Sequence, residues 1–305
     1  MRKNIASASM YTFTSYIWRQ DIITMKLIRF GEPGQEKPGV IINDKKYALP
    51  GFKEDYNEDF FAADGLNRLN AYLVDNKSSL IELPSNTRLG SSVCRPSKIV
   101  CIGLNYADHA EEANLPLPKE PIIFLKATSA IAGPNDHLII PKSGQKVDWE
   151  TELAVVIGKR ASYVDEQNAL AHVAGYCLFN DYSERAFQME RGGQWVKGKS
   201  CDTFAPIGPY LATADEIENI DNLRIWLTLN GKTMQDGNTT NLIFKVPFLI
   251  HYVSQFMTLL PGDIISTGTP AGVGMGQKPE HVYLKAGDRV EYGIDGLGSA
   301  GQTVK

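Results

Sequence analysis

Glu150 and Glu152 stand in the stretch Val147-Asp148-Trp149-Glu150-Thr151-Glu152, and the run Leu153-Ala154-Val155-Val156-Ile157-Gly158 follows at once. That apolar, β-branched run closed by glycine predicts a buried strand. Side chains alternate along a strand, so positions i and i+2 share a face. The two glutamates then sit side by side where the strand enters the core. One unpaired buried carboxylate is costly and two neighbours repel, whereas a bound cation removes both problems. Hard oxygen donors suit magnesium, calcium or manganese. Residues 174–179 predict a second strand, and Asp181 stands just past its end. Three carboxylates leaving coordination positions open would make a catalytic metal site, because a substrate can complete the sphere. The alternative is a solvated strand start together with an N-cap, since Asp181 also opens a helix-compatible stretch.

Helical spacing from Asp181 puts Arg185 and Gln188 on the same face, at i+4 and i+7. Arginine can grip a substrate carboxylate in bidentate fashion, and glutamine can donate to an oxyanion or carbonyl. A surface salt bridge would use the same spacing. Upstream, residues 98–102 predict a strand leading into Gly103-Leu104-Asn105-Tyr106-Ala107-Asp108-His109-Ala110-Glu111-Glu112. Asn105 or Asp108 is expected to cap a short helix that carries His109 and Glu112 at i and i+3. A carboxylate one turn from an imidazole outlines a general base, although a solvated His–Glu pair has the same spacing. Residues 193–200 match a phosphate-binding loop letter for letter, but no strand precedes them and prolines stop any following helix. Nucleotide binding is therefore rejected, while Lys199 remains a cation near the acidic residues. The glycine-rich stretch from Gly268 to Gly276 leads into strand-like sequence and could offer backbone N–H groups and the Thr269 hydroxyl to a carboxylate.

Six motifs in fixed order resemble the fumarylacetoacetate hydrolase family: G-L-N-Y-A-D-H-A-E-E, F-L-K, D-W-E-T-E-L-A-V-V-I-G, F-N-D-Y-S-E-R-A-F-Q, G-K-S-C-D-T-F-A-P-I-G-P and G-D-I-I-S-T-G-T-P-A-G-V-G. The resemblance covers the chain from about Lys98 to its C-terminus. It implies that Glu150, Glu152 and Asp181 hold Mg²⁺ or a similar divalent ion (Mn²⁺ or Ca²⁺), and that His109 and Glu112 activate water. It implies substrate contacts for Arg185, Gln188 and Lys199, with Thr269 near a bound carboxylate. The founding hydrolase has a further aspartate ligand ahead of the histidine loop, where this chain has Gly103-Leu104-Asn105. The chain looks more like the branch of acylpyruvate hydrolases, oxaloacetate decarboxylases or tautomerases, and diketo sugar-acid hydrolases. Its ending resembles the subgroup acting on 2,4-diketo-3-deoxy sugar acids. The implied reaction is metal-dependent cleavage of a carbon–carbon bond in a 2,4-dioxo acid, releasing pyruvate. Proton transfer or decarboxylation at the same site is the competing reading. A non-catalytic Ca²⁺-binding protein is a third, which leaves Arg185, Gln188, Lys199, His109 and Glu112 without a purpose.

The elements that must position these residues read as many short strands and few helices. Strands are predicted near residues 25–30, 40–43, 122–125, 138–140, 223–230, 263–266, 282–284 and 288–294, with helices at 66–75 and 247–257. No regular βαβ alternation appears, so a mainly β, α+β architecture with mixed, mostly antiparallel sheets is expected. The resemblance adds the family's own β-roll and a homodimer. Residues 25–92 are expected to form a small N-terminal domain and 93–305 the catalytic domain. The 305 residues are 43% hydrophobic and 22% charged with a net charge of −4 and no basic run, which argues against nucleic-acid binding. No apolar stretch is long enough to span a bilayer. Four cysteines without C-x-x-C pairing fit reduced thiols in a cytoplasm. Residues 1–24 lack a continuous apolar core and read as an extension, so Met25 is expected to open the domain. A protein started at Met25 should therefore express in soluble form and retain the activity of the full chain; loss of soluble protein would refute this.

Overall fold

The computed structural model describes residues 25–305; the expectation for residues 1–24 lies outside them. The N-terminal part runs β1 (Lys26–Phe30), β2 (Lys37–Ile42), β3 (Lys45–Ala48), α1 (Glu58–Ala62), α2 (Gly65–Asn76) and β4 (Ile81–Glu82). Next come β5 (Ile99–Gly103), α3 (Ala107–Glu112), β6 (Ile122–Lys126), β7 (Ile131–Ala132), β8 (Val147–Asp148), β9 (Thr151–Ile157) and β10 (Val173–Asn180). After β11 (Ser183–Glu184), α4 (Arg185–Met189) and α5 (Val196–Lys199), the chain continues through β12 (Ala205–Thr213), β13 (Arg224–Leu229) and β14 (Lys232–Asn238). It closes with α6 (Val246–Phe256), β15 (Ile264–Ser266), β16 (Arg289–Ile294) and β17 (Gly298–Thr303).

Eleven strands form one sheet in the order β4-β3-β2-β1-β12-β10-β9-β15-β5-β6, with β7 paired to β12 off this path. The β15–β5 and β12–β7 pairs are parallel and the other pairs in this sheet are antiparallel. The mixed, largely antiparallel architecture with few helices is thus the one the pattern predicted. Through β1 and β12 the strands of residues 25–92 continue the sheet of the larger part. A second sheet has the order β14-β13-β16-β17, and β8 and β11 form a two-stranded ribbon.

Every residue of β9 is buried. A strand covered on both faces has no need of alternation, which is why its sequence reads as an unbroken apolar run. β9 lies between β10 and β15 in the interior of the large sheet. Residues 138–140 and 282–284 are not strands. Leu138 makes only an isolated bridge to Val304, and Val282 and Leu284 spend their amides on the carbonyls of Gly274 and Val147. Conversely, β12 forms despite Pro206 and Pro209. Pro206 lies on the short pairing with β7, and Pro209 falls where the β10–β12 register shifts, between Ile207 and Leu211. At such a bulge the missing donor costs the ladder little. The polar strands β14 and β17 have little intrinsic β preference and are ordered by pairing with β13 and β16.

Candidate metal centre and active site

The register of β9 against β10 brings the three acids together. Glu152 lies opposite Phe179 and Thr151 opposite Asn180, while Asp181 donates its amide to the Glu150 carbonyl at 2.8 Å. One carboxylate oxygen each of Glu150, Glu152 and Asp181 lie within 4.8 Å of one another, and all three residues are buried. Asn180 helps from the side, its Oδ1 accepting the Glu150 amide at 3.0 Å.

Three buried cations meet these acids in an alternating chain. Lys126 contacts Asp181 Oδ1 and donates to the Tyr182 carbonyl at 3.0 Å. Lys199 Nζ bridges Asp181 Oδ2 at 2.8 Å and Glu150 Oε2 at 2.6 Å. Arg185 lies 2.7 Å from Glu150 Oε1 and 2.7 Å from Asp148 Oδ2. Read in order, Lys126, Asp181, Lys199, Glu150, Arg185 and Asp148 alternate in sign and balance. Glu152 is the extra acid. Its Oε2 accepts from the Ser266 hydroxyl at 2.5 Å and the Gly268 amide at 2.9 Å, and it has no cationic partner among the described residues. Burial first, then the charges of Asp181 and Glu150, push its carboxyl well above the usual range. Burial would raise Glu150 too, but Lys199 and then Arg185 hold it down at about 2. Lys199 keeps its proton, because Asp181 and Glu150 outweigh the cost of burying its ammonium. A buried all-oxygen donor set with one carboxylate that no cation compensates fits a hard divalent cation.

His109 and Glu112 face each other on α3, with Nδ1 and Oε2 3.1 Å apart. Glu112 accepts through its other oxygen from the Gly272 amide at 2.9 Å. A Cβ added at Gly276 would lie 2.3 Å from Glu112 Cδ, so this glycine makes room for the acid. With Glu112 accepting at Nδ1, the assigned tautomer leaves Nε2 as the free basic nitrogen. The field of His109 is the smallest of the causes that hold the Glu150 carboxyl down, which ties this pair to the acidic cluster.

Two local expectations are corrected. Asp181 does not open a helix, because its carboxylate is held by Lys126 and Lys199 while residues 183–184 pair with β8. The helix begins at Arg185, and Glu184 caps it by accepting the Phe187 amide at 2.6 Å. Arg185 and Gln188 still meet at i, i+3, with Arg185 Nη1 donating to Gln188 Oε1 at 3.0 Å. Likewise neither Asn105 nor Asp108 caps α3; Tyr106 occupies that position without a side-chain bond. Asn105 is buried and ties the Thr267 and Phe244 backbones together.

Thr269 is buried, donating to the Thr151 carbonyl at 2.9 Å and accepting from Gln235 Nε2 at 2.8 Å. Lys199 belongs to the single turn α5, which follows α4 rather than a strand, and it points at carboxylates. Two members of the chain of charges, Lys126 and Asp148, carry no role in the sequence reading. The signal for Lys126 was the lysine closing the otherwise apolar β6; Asp148 stood in the same acidic stretch as Glu150.

Residues 98–305 match the family model described as fumarylacetoacetate (FAA) hydrolase C-terminal. A Burkholderia multivorans protein, named only as a presumed hydrolase, is 53% identical over 275 residues, 90% of this chain and 96% of that one. The maleylpyruvate hydrolase from Sphingobium sp. SYK-6, solved with manganese(II) and pyruvate, superposes with a TM-score of 0.77 at 30% identity over 92% of this chain and 98% of its own. The 5-carboxymethyl-2-hydroxymuconate delta-isomerase from Mycobacterium smegmatis gives 0.72 and 31%, with the same two coverages.

Glu150→Ala should abolish divalent-ion binding in a calorimetric titration, since it removes a ligand and leaves Lys199 and Arg185 short of one counter-charge. Binding must also displace the proton that burial favours on Glu152. Affinity should therefore rise with pH until that raised pKa is passed and then level, with proton release on the acidic side. Mn²⁺ titrations in buffers of different ionisation enthalpy read both; a pH-independent affinity would contradict the assignment of Glu152.

Proposed function

The chain belongs to the fumarylacetoacetate hydrolase family, and from that premise we propose that it is a Mg²⁺-dependent hydrolase of 2,4-dioxo acids. The charge count of the buried cluster carries this reading. Once Glu152 gives up its proton the cluster carries one excess negative charge, and a divalent ion would turn that into one excess positive charge, which a substrate monocarboxylate neutralises. A bound ion supplies Lewis-acid stabilisation to the carboxylate and adjacent oxo group of such an acid. Glu150, Glu152 and Asp181 hold the ion. Arg185 keeps Glu150 in place and supports the acid end of the substrate, while Thr269, whose one proton goes to the Thr151 carbonyl, supports it through the backbone it holds.

His109, oriented by Glu112, takes a proton from water at Nε2 as the water oxygen attacks the 4-oxo carbon. The ammonium of Lys199 and the amide of Gln188 stabilise the resulting oxyanion. Its collapse breaks the bond between carbons 3 and 4. The electron pair goes to the pyruvate-type fragment, which regains a proton at carbon 3, and the other fragment leaves as a carboxylic acid. The substrate tail we favour is that of a 2,4-diketo-3-deoxy sugar acid. The four free cysteines support a reducing, cytoplasmic setting, and the family resemblance supports a homodimer.

A second reading rests on the isomerase among the similar structures. The same base and the same cations can move a proton, or release carbon dioxide from oxaloacetate, without consuming water. Pyruvate release from a panel of 2,4-dioxo acids, with Mg²⁺ and with chelator, separates the two. Chelator-sensitive release is expected, and His109→Ala should bind the ion normally yet lose about 10²–10⁴-fold in rate. A full hydrolytic rate in His109→Ala would withdraw the base from this residue. No pyruvate from any dioxo acid, with tautomerisation or decarboxylation of oxaloacetate instead, would favour the second reading.

A further inference from the structure

Gln235 is a wholly buried polar residue on β14, an edge strand of the small sheet. Its neighbours Met234 and Asp236 are partly or fully exposed. The β13–β14 register shifts between Leu227 and Thr228, beside Gln235, and such a shift re-aims side chains. The Gln235 side chain leaves its own sheet and ends on the peptide of Thr151, the residue between Glu150 and Glu152. Oε1 accepts the Thr151 amide at 3.0 Å. Nε2 donates to Thr269 Oγ1 at 2.8 Å and to the Pro270 carbonyl at 2.9 Å. Thr269 Oγ1 in turn donates to the Thr151 carbonyl at 2.9 Å, so three hydrogen bonds close a ring on the backbone of that residue. The loop is seated against β14 so closely that a Cβ at Gly272 would fall 1.9 Å from the Met234 carbonyl oxygen.

We propose that Gln235 is a positioning residue for the metal centre: it clamps the Glu150-Thr151-Glu152 segment to the loop that carries Thr269 and Gly272, and so fixes the separation of the two glutamates. The proposal rests on the metal-site reading given above. Gln235 touches no metal-ligand carboxylate in this arrangement; it acts through the Thr151 peptide. Groups that orient metal ligands in this manner are typically worth about 10–100-fold in metal affinity.

The test is the dissociation constant for Mn²⁺, read by the electron paramagnetic resonance of free ion, on the full-length protein beside the melting temperature of the metal-free chain. Gln235→Met keeps the length and shape of the side chain and removes the three hydrogen bonds that Gln235 itself makes. It should weaken Mn²⁺ binding at least about tenfold. Leu227→Ala, which hollows the small sheet at the position opposite Gln235, should lower the melting temperature and leave Mn²⁺ affinity unchanged. If Gln235→Met does not fold, Thr269→Val opens the ring from its other side and should show the same loss, while Thr269→Ser, which keeps the hydroxyl, should restore affinity. Unaltered Mn²⁺ affinity in Gln235→Met, or equal losses in Gln235→Met and Leu227→Ala, would overturn the proposal. Mn²⁺ binding that survives Glu150→Ala would instead sink the metal-site reading itself.

Discussion

One unbalanced carboxylate governs this site. Lys126, Asp181, Lys199, Glu150, Arg185 and Asp148 form a chain of buried charges that alternate and cancel. Glu152 sits beside that chain with a hydroxyl and an amide for company. Burying ion pairs is near break-even at best, because desolvation consumes most of the Coulombic gain. A cluster of six such groups is therefore poorly explained as a stabilising device. Adding a seventh charge with no counter-ion makes it worse, unless the protein is built to take up a cation there. Holding Glu150 ionised while leaving Glu152 inclined to protonate divides the labour. The first is kept ready by fixed cations, and the second is completed by whatever ion arrives.

The fold meets this constraint by placing the acids where the backbone cannot yield. β9 is an interior strand of the large sheet, with β10 on one side and β15 on the other. Its pairing with β10 puts Asp181 beside Glu150, and its neighbour β15 brings the Ser266 hydroxyl to Glu152. The cations come from outside the central strands. Lys126 closes β6 at the sheet's edge, while Arg185 and Lys199 ride on two short helices that pack on each other. The central strands and the residue just past β10 thus hold the ligands, and the more peripheral elements hold the charges that tune them.

Much of this was legible in the sequence because it depends on short-range periodicity. The β-branched apolar run after Glu152, closed by glycine, reads as a buried strand, and the shared face of the two glutamates follows from it. His109 and Glu112 met as their i, i+3 spacing required. What escaped was set by contacts distant in sequence. Nothing local distinguishes Asp181 as a strand-end ligand from Asp181 as a helix cap; Lys126, more than fifty residues upstream, decides it. Polar β14 and β17 are ordered by their partners, and Pro206 and Pro209 hide β12 from any rule based on composition. Asn105, which reads as a cap, turns out to be a buried bracket between residues 244 and 267.

The loop from Ser266 to Gly276 then explains how distant segments become one site. Its residues reach Glu152 through Ser266 and Gly268, the Thr151 peptide through Thr269, Glu112 through Gly272, and Asp148 through the amides of Gly274 and Met275. Three of the four acceptors are carboxylates and the fourth is the Thr151 carbonyl between Glu150 and Glu152, and most of the donors are backbone N–H groups. Backbone donors demand a chain path that side chains would obstruct, which gives a physical reason for glycine at Gly272 and Gly276, where a Cβ would collide with Met234 and Glu112 respectively. A single loop therefore sets the acidic cluster and the His109–Glu112 pair relative to each other. The spacing between metal ligand and base, on which water attack depends, is a property of that loop's backbone rather than of either element alone.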